Sequence, residues 1–464
     1  MSLPMSPLLS TSLSNQMTGS TSAAGDPQNR FEFSAEQFNY GTAGTTAEQQ
    51  NQYVDFAPTF SYSHRLGQDE NAPHSEIGIE GLAVIPASGG VDQQLAVPQM
   101  YFRYTAEPHR LNFTLGRYRE DWSSLDDHSH LGLWQPLARW DAVRPISQGL
   151  TGLFATVEDQ KFRIVYFASS VFLPDQGPGF SVKGGRFTSS NRWFRPPVDQ
   201  AEIKNTEAQI FYAVDTPSTA SVVNQGSQAL MVEVGQRNDG LFAKASVADK
   251  PMNQFHLGLE PTIAAASGVI SVTVHPYVVK HNLYTLESGY RFNEGQFVLS
   301  QTWEKFENPN LPDKFQQSEL IDSQYTGAVF NHDLSNFGLH NANIDLSYVQ
   351  RTKATSAAKE TIVQGSVESS SQRLSFSRLA GLQFEKNIFH NFINSLDAAV
   401  GYFYSVDDQG EWLHGDISYQ YDRRWLWNLS GDIFGASGVI DANASFISKF
   451  RGNDRMIGSF SYVF

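Results

Sequence analysis

Short segments in which apolar and polar residues alternate recur along most of this chain. In residues 413–421, Leu413 and Ile417 alternate with His414 and Asp416. The same pattern marks the segments 110–116, 161–168, 396–405 and 428–433. Because successive side chains of a β-strand point to opposite faces, this period of two predicts strands with one apolar and one polar side.

The length of these segments favours a membrane location. Each has about ten residues, which is the length that a tilted strand needs to cross the hydrocarbon core. Strands can span a membrane only as a closed barrel, because lipid offers no partner for backbone groups. Aromatic residues make up 13% of the chain, yet its mean hydropathy is −0.34. We therefore predict an all-β fold: a transmembrane antiparallel β-barrel of about 18 strands, within a range of roughly 16 to 22, with long extracellular loops.

The C-terminus narrows the class of barrel. The last segment alternates so that Phe460, Tyr462 and Phe464 share one face, and the chain ends on Phe464. This ending resembles the C-terminal signal of Gram-negative outer-membrane β-barrels, in which the closing strand finishes on phenylalanine with another aromatic residue two positions earlier. The resemblance implies a porin-like protein of the outer membrane that is inserted by the barrel-assembly machinery, with these three residues in its assembly signal.

The domain organisation follows from composition and spacing. Residues 1–29 are rich in Ser, Thr, Gly, Asn and Gln and are predicted to form a flexible periplasmic leader. Segment 1–20 lacks the basic start and apolar core of an intact secretory signal. Residues 30–464 form the barrel, interrupted by long loops at 118–149 and 171–205. The charge-free run 261–279 contains glycine and proline, which favours a hairpin over a spanning helix.

The loop 118–149 is the first candidate for chemistry. It concentrates charged residues and three tryptophans, which suit a pore constriction or the binding of a sugar-like solute: Arg119, Asp121, Trp122, Asp126, Asp127, Trp134, Arg139, Trp140 and Arg144. Opposed charges on an inward-folded loop would set a field across the pore, as in general porins. The alternative is that the tryptophans only pack the loop against the inner wall.

Two sharper hypotheses attach to the run from Asp126 to His130. Imidazole and carboxylate groups are suitable metal donors, and Asp127, His128 and Ser129 are the residue types of a hydrolytic site. Metal ligation needs convergent geometry that a short run does not itself provide. We therefore predict a solvated polar loop, with no metal, no cofactor and no enzymatic activity.

Two further sets of charges are candidates. A basic, aromatic stretch in the second long loop would attract an anionic solute, or lipopolysaccharide phosphates, to the mouth: Lys183, Arg186, Arg192 and Arg195. Four aspartates fall on the predicted inner face of separate strands: Asp345, Asp397, Asp416 and Asp432. Carboxylates around a water-filled lumen favour cations, whereas in a filled barrel they would pair with Arg or Lys.

The predicted function is an outer-membrane channel for the diffusion of hydrophilic solutes, constricted by an inward-folded loop. The alternatives are a polysaccharide-export barrel, a non-conducting barrel that docks an envelope protein complex, and an outer-membrane hydrolase. The expected partners are outer-membrane lipid, lipopolysaccharide, the barrel-assembly machinery and the solute or polysaccharide. A net charge of −15 argues against nucleic acid, and the absence of cysteine excludes disulfides.

Overall fold

The computed structural model describes most of the predicted barrel. The described residues are 29–66, 73–88, 92–107, 111–203, 206–235, 239–264, 269–307, 312, 314–315, 320–353, 376–391, 393–406, 409–422, 424–436 and 446–464. Except for Asn29, the predicted leader 1–29 lies outside the described residues.

Eighteen antiparallel strands form one closed wall. In chain order they are β1 (Asn29–Tyr40), β2 (Gln52–Leu66), β3 (His74–Ser88), β4 (Gln94–Glu107), β5 (Leu111–Tyr118), β6 (Leu150–Glu158), β7 (Phe162–Ser169), β8 (Ser227–Gly235), β9 (Gly240–Pro251), β10 (Lys280–Phe292), β11 (Gly295–Phe306), β12 (Ser323–Asp333), β13 (Ala342–Lys353), β14 (Arg378–His390), β15 (Ser395–Ser405), β16 (Gly410–Tyr421), β17 (Trp425–Ala436) and β18 (Arg455–Val463). Each strand pairs with its neighbours in sequence, and β1 pairs with both β2 and β18. The predicted barrel and its strand number are confirmed.

The alternation seen in the sequence sorts side chains between the two faces of the wall. On β16, Leu413 and Ile417 are exposed on the outside, whereas His414 and Asp416 are buried on the inside. On β18, Met456 is exposed and Ile457 is buried. The exterior is therefore apolar and suits lipid, while the interior is polar and packed.

The C-terminal strand closes the ring. The backbone N–H of Phe464 donates to the carbonyl of Phe31 at 2.9 Å, and the two rings lie 5.3 Å apart. Phe460 stands opposite Ala35 of β1, on the outward face that it shares with Tyr462. The predicted closing strand is thus the seam between the two ends of the chain.

Three long insertions arise at the same rim of the barrel. The first insertion, residues 119–149, follows β5 and precedes β6. The second insertion spans 170–226, so it continues beyond the predicted limit of 205 because Thr206–Val214 is a strand outside the wall. The third insertion, 252–279, contains the predicted hairpin, formed by His256–Ala264 and Val269–Tyr277.

The second and third insertions together build a four-stranded sheet, here called the crown sheet. Its strand order is Gln200–Ile203, Thr206–Val214, Val269–Tyr277 and His256–Ala264, and the two central strands are parallel. Ile210 and Val272 are among the buried side chains of its small core.

A separate hairpin lies beside the crown sheet and joins Ser181–Lys183 to Arg186–Thr188. Its two-residue turn is Gly184-Gly185, with φ values of 58° and 79°. A turn that needs positive φ at both positions favours glycine, because a side chain there would clash with the backbone.

Short elements complete the described fold. The helices are α1 (Ser124–Ser129), α2 (Thr219–Val223) and α3 (Phe446–Phe450), and Ser335–Phe337 forms a 3₁₀ turn. Within the first insertion, Leu137–Ala138 pairs with Ile146–Ser147. Across the described residues, none of the helices has the length and apolar character needed to cross a membrane.

Candidate solute pathway and the first insertion

The first insertion is fixed to the wall where it begins. Arg119 contacts Glu80 of β3 at 2.7 Å, and Glu120 contacts Arg163 of β7 at 2.5 Å. Arg163 also lies 3.4 Å from Glu158. These ion pairs turn the chain inward directly after β5, since the wall partners project from the inner face.

Helix α1 is held against a second part of the inner wall, on β9 and β10, by a buried ion pair. Lys244 of β9 places its Nζ 2.9 Å from Glu287 of β10 and 2.8 Å from Asp121 of the insertion. Glu287 also accepts hydrogen bonds from the Ser123 and Ser124 hydroxyls, each at 2.9 Å. Both wall side chains are almost fully buried, so the insertion supplies the hydrogen bonds that a buried charge requires.

Asp121 and Asp126 have different environments. Burial raises the pKa of Asp121, but Lys244, together with Arg163 and Arg291, brings it below its usual value, so this carboxylate stays ionised. Burial raises the pKa of Asp126 to about 6, although the backbone N–H groups of Leu133 and Trp134, which donate to it at 2.9 and 3.0 Å, act in the opposite direction. Asp126 thereby ties the end of α1 to the following turn.

Two of the three tryptophans are structural. Trp122 and Trp134 are fully buried and stack with ring centroids 5.4 Å apart. The indole N–H of Trp134 donates to Thr285 of β10 at 3.0 Å. These two side chains and Asp126 have almost no surface that a solute could touch, so they agree with the packing alternative. Trp140 is half-buried, and its carbonyl accepts a hydrogen bond from Asn191.

The far end of the first insertion reaches the last two strands of the wall. Asp141 lies 2.5 Å from Arg455 of β18, and Arg144 lies 3.5 Å from Asp432 of β17. Arg455 and Asp432 contact each other at 2.7 Å. Half the strands of the ring separate β9 from β18, so the insertion crosses the lumen from one side to the other.

Arg139 does not face solvent but contacts Asp175, a carboxylate that joins all three insertions. Its Nε lies 3.1 Å from Asp175 of the second insertion, and Asp175 also accepts from Gln254 of the third at 3.1 Å. The backbone N–H of Leu137 donates to the same carboxylate at 2.8 Å. This one buried carboxylate therefore sets the relative position of the insertions.

The run from Asp127 to His130 is buried or half-buried, so the prediction of a solvated polar loop is wrong here. Asp127 accepts a hydrogen bond from Gln135 at 3.1 Å, and burial raises its pKa well above the usual value. His128 lies 3.3 Å from Asp345 of β13. Burial lowers the pKa of His128 to about 3 and that of His130 to about 4, so both are neutral at neutral pH. The described residues contain no group of three or more His, Asp or Glu side chains able to hold a metal ion.

The basic stretch of the second insertion divides into two pairs. Lys183 and Arg186 are exposed on the hairpin, and Arg186 lies 3.8 Å from Asp199. Arg192 is buried and donates to the carbonyls of Thr42 and Gly452, both at 3.0 Å.

Arg195 makes similar contacts between loops. It donates to the Lys449 carbonyl at 2.9 Å and lies over the Phe450 ring. Burial lowers the pKa of Arg195 to about 10. Only Lys183 and Arg186 are therefore placed to meet an anion at the mouth, while Arg192 and Arg195 hold loops together.

The four predicted lumen aspartates all lie on the inner face, but their partners differ. Asp432 is fully buried between Arg455, Arg144 and His414. Asp345 accepts from Asn331 at 3.4 Å, Asp397 from Asn387 at 2.6 Å and Asp416 from Asn428 at 2.7 Å. One of the four therefore has the cationic partners expected of a filled barrel, and three have amide partners.

Sequence reasoning missed Glu385, which belongs to the same surface. It lies on β14 and accepts from Gln383 at 2.5 Å. Among the described residues no Lys or Arg nitrogen lies within 4.0 Å of Glu385, Asp397 or Asp416. The signal was present, because Leu382 and Phe384 alternate with Gln383 and Glu385 in the sequence.

The wall of β3 to β10 also carries charges that sequence reasoning did not select. Arg103 lies 3.5 Å from Glu76, and Arg291 lies 2.7 Å from Glu233. Arg119 and Arg163, which are described above, also have glutamate partners, whereas Arg117 of β5 donates to the carbonyl of Gly149 at 3.1 Å. The two sides of the lumen thus differ in net charge, since the carboxylates of β14 to β16 lack such cations.

Comparisons with known proteins give likenesses of structure alone. No protein-family model matches the chain, and no curated protein matches it. Among solved structures it is similar to Acinetobacter baumannii OccAB4, with 7% identity and a TM-score of 0.45 over 94% of this chain and 97% of that one. It is also similar to a BenF-like porin from Pseudomonas fluorescens Pf-5, with 9% identity and a TM-score of 0.48 over 94% and 97%.

A third similar structure is Pseudomonas aeruginosa OccD3 (OpdP), with 11% identity and a TM-score of 0.45 over 94% of this chain and 91% of that one. Likeness at this level supports no statement about solute or mechanism, and polysaccharide export gains no support from it. The closed ring of eighteen antiparallel strands, apolar outside and polar inside, is itself the architecture of a porin-like outer-membrane β-barrel.

Proposed function

We propose that this protein is a channel of the Gram-negative outer membrane for the diffusion of small hydrophilic solutes, narrowed by the first insertion and selective for cations. The observation that carries the proposal is the insertion's attachment to opposite walls, through Lys244 on one side and Arg455 on the other. A segment fixed at both ends across a lumen reduces its cross-section, and its partly exposed groups face the remaining space.

The preference for cations follows from the charge on the wall. Glu385, Asp397 and Asp416 accept hydrogen bonds from neutral amides, whereas Arg103 and Arg291 are each paired with a glutamate. The remaining lumen charge is negative, which raises the local concentration of cations and repels anions.

Conductance measurements in planar lipid bilayers test both the narrowing by the first insertion and the preference for cations. The purified chain should give stepwise conductance, and under a salt gradient its reversal potential should have the sign of a cation-selective pore. Deletion of residues 120–147 should raise the conductance. A deletion variant with unchanged conductance contradicts the role of the insertion, and an anion-selective reversal potential contradicts the role of the carboxylates.

Chemical modification of an introduced cysteine tests more directly whether the first insertion lies in the solute pathway. The chain has no cysteine, so Ser129→Cys introduces a single thiol on the partly exposed side of α1. A bulky thiol reagent should lower the conductance of this variant. Lys183→Cys, on the exposed hairpin beside the crown sheet, is the matched control and should react without changing the conductance.

The crown sheet favours a second candidate function. A four-stranded sheet at the loop rim offers a folded surface for a protein partner, as expected of a barrel that docks an envelope complex. Such a barrel would show no conductance in the bilayer experiment and would copurify with a partner. Lipopolysaccharide and the barrel-assembly machinery are proposed partners under either function.

A further inference from the structure

Three carboxylates of the inner wall surround one small side chain. In the strand register, Ala399 of β15 stands directly between Glu385 of β14 and Asp416 of β16. Asp397 is two residues before Ala399 and therefore on the same face of β15. Because neighbouring strands lie about 4.8 Å apart, the backbones that carry Glu385 and Asp416 are separated by about 10 Å, with only a methyl group between them.

Each of these carboxylates is held by an amide that leaves its own oxygen unused. Gln383 donates to Glu385, Asn387 to Asp397 and Asn428 to Asp416, at 2.5, 2.6 and 2.7 Å. The amide oxygens of Gln383, Asn387 and Asn428 have no hydrogen-bond partner among the described residues.

The unused oxygens are an independent indication of a ligand. Gln383 and Asn428 are only 4% and 6% exposed, and a buried acceptor without a partner is costly. Each of these oxygens belongs to a side chain whose NH₂ group already donates to one of the three carboxylates. The surface formed by these side chains therefore has more hydrogen-bond acceptors than donors. A ligand that binds to it must supply hydrogen-bond donors.

The chemistry of this surface selects the class of ligand. A single metal ion needs oxygen ligands at about 2.0–2.6 Å, and the described residues hold no group of acidic or histidine side chains close enough to bind one. An organic cation with N–H donors at both ends can instead reach separated carboxylates, while its methylene groups lie over Ala399. Asp397 is exposed, Glu385 is half-buried and Asp416 is 7% exposed, so a solute in the lumen meets Asp397 and Glu385 first.

We infer that Glu385, Asp397 and Asp416 form a binding site, with Ala399 as its floor, for an organic dication that carries N–H donors. The inference rests on the proposed function, because the ligand reaches the site through the lumen. It deepens that function by naming a solute class, the alkyl diammonium ions.

Calorimetry on the full chain in detergent measures the binding, with putrescine as the probe. The control probe is the permethylated analogue of putrescine, which keeps both charges but has no N–H donor. We expect it to bind about tenfold more weakly, because charge-assisted hydrogen bonds are lost. Glu385→Gln and Asp416→Asn, which keep the side-chain shape, should each weaken putrescine binding about tenfold.

Two further variants separate the site from general lumen charge and from folding. Glu76→Gln removes one carboxylate from the other wall and should leave putrescine affinity unchanged. Ala399→Leu keeps every charge but fills the floor, and should abolish binding. Heat-dependent gel mobility checks that each variant forms the closed barrel.

The outcomes distinguish this inference from the proposed function. Equal affinity for the two probes, or unchanged affinity in both Glu385→Gln and Asp416→Asn, overturns the site, even if the channel conducts. Absence of conductance in a wild-type protein that binds putrescine in this manner overturns the channel and leaves the site standing.

Discussion

The carboxylate of Asp141 lies 2.5 Å from Nη1 of Arg455, which joins the first insertion to the strand that closes the barrel. Arg455 is buried and also contacts Asp432 at 2.7 Å. A residue at the seam of the wall thus holds the far end of the segment that crosses the lumen. The seam and the first insertion are therefore coupled through one guanidinium group.

Changing Asp141 should loosen the insertion with little effect on the barrel. In Asp141→Asn, Arg455 keeps Asp432 as its partner, so we expect a loss of about 1–2 kcal/mol in unfolding free energy together with higher or noisier single-channel conductance. Arg455→Gln removes the closer of the two arginines that contact the buried Asp432 and should cost about 3–5 kcal/mol. Bilayer recordings measure the conductance and thermal unfolding measures the stability. Equal stability losses in the two variants would contradict the prediction that Asp141 acts mainly on the insertion.

The near end of the insertion depends on Lys244 in a different way. Lys244→Met leaves the buried Glu287 carboxylate without its cation, which should cost about 3–5 kcal/mol. The double variant Lys244→Met/Glu287→Gln removes both charges and should recover much of this loss. Thermal unfolding of the three proteins measures the effect. A double variant no more stable than the single one would show that Glu287 is not the cause.

The barrel could be predicted from the sequence because its pattern is local. Strand alternation assigns each residue to a face within a few positions, so Asp416 and Asp432 were placed inside correctly. The C-terminal aromatic face likewise indicated the closing strand. The length of the first insertion followed from the gap in alternating segments between Tyr118 and Leu150.

The partners of the charged residues could not be predicted in this way. Arg192 resembled a mouth residue, but it is buried against the carbonyls of Thr42 and Gly452, which are distant in sequence. Trp122 and Trp134 resembled a solute platform, but they stack on each other. Contacts between insertions depend on how several loops pack together, and no periodicity within one loop encodes them.

Substitution of the buried Arg192 and of the exposed Lys183, both in the second insertion, should have different effects on stability. Arg192→Ala removes hydrogen bonds to two loops and should destabilise the protein by about 2–3 kcal/mol. Lys183→Ala affects an exposed side chain and should stay within about 0.5 kcal/mol of the parent protein. Thermal unfolding compares them. Similar small effects from both would show that the Arg192 contacts add no stability.

The C-terminal phenylalanine should matter for assembly more than for the finished barrel. Phe464 contacts Phe31, but its side chain is largely exposed on the outside. Phe464→Ala should therefore lower the amount of folded protein in the outer membrane, while the thermal stability of the purified barrel changes little. Phe297→Ala, another exposed aromatic position of the outer face, is the control and should leave the yield unchanged.

The histidines His128 and His130 and the carboxyl groups of Asp126 and Asp127 give the first insertion opposing responses to pH. The pKa of His128 is lowered to about 3 by burial, against about 6.5 in an unfolded chain. Between these two pH values the open insertion binds more protons than the closed one. The stability of the closed insertion therefore decreases as the pH decreases. Asp126 has the reverse difference, because burial raises its pKa to about 6, and its contribution grows as pH falls.

Removal of His128 should shift the pH dependence of the insertion's stability towards that of its buried carboxyl groups. In His128→Gln, acidification from pH 6.5 to 4 should stabilise the insertion relative to the parent protein, by up to about 1.4 kcal/mol per pH unit. Amide hydrogen exchange at Leu133 and Trp134, whose N–H groups donate to Asp126, reports the local opening. His275→Gln in the crown sheet should keep the parent slope. If His128→Gln keeps that slope as well, protonation of His128 does not limit opening.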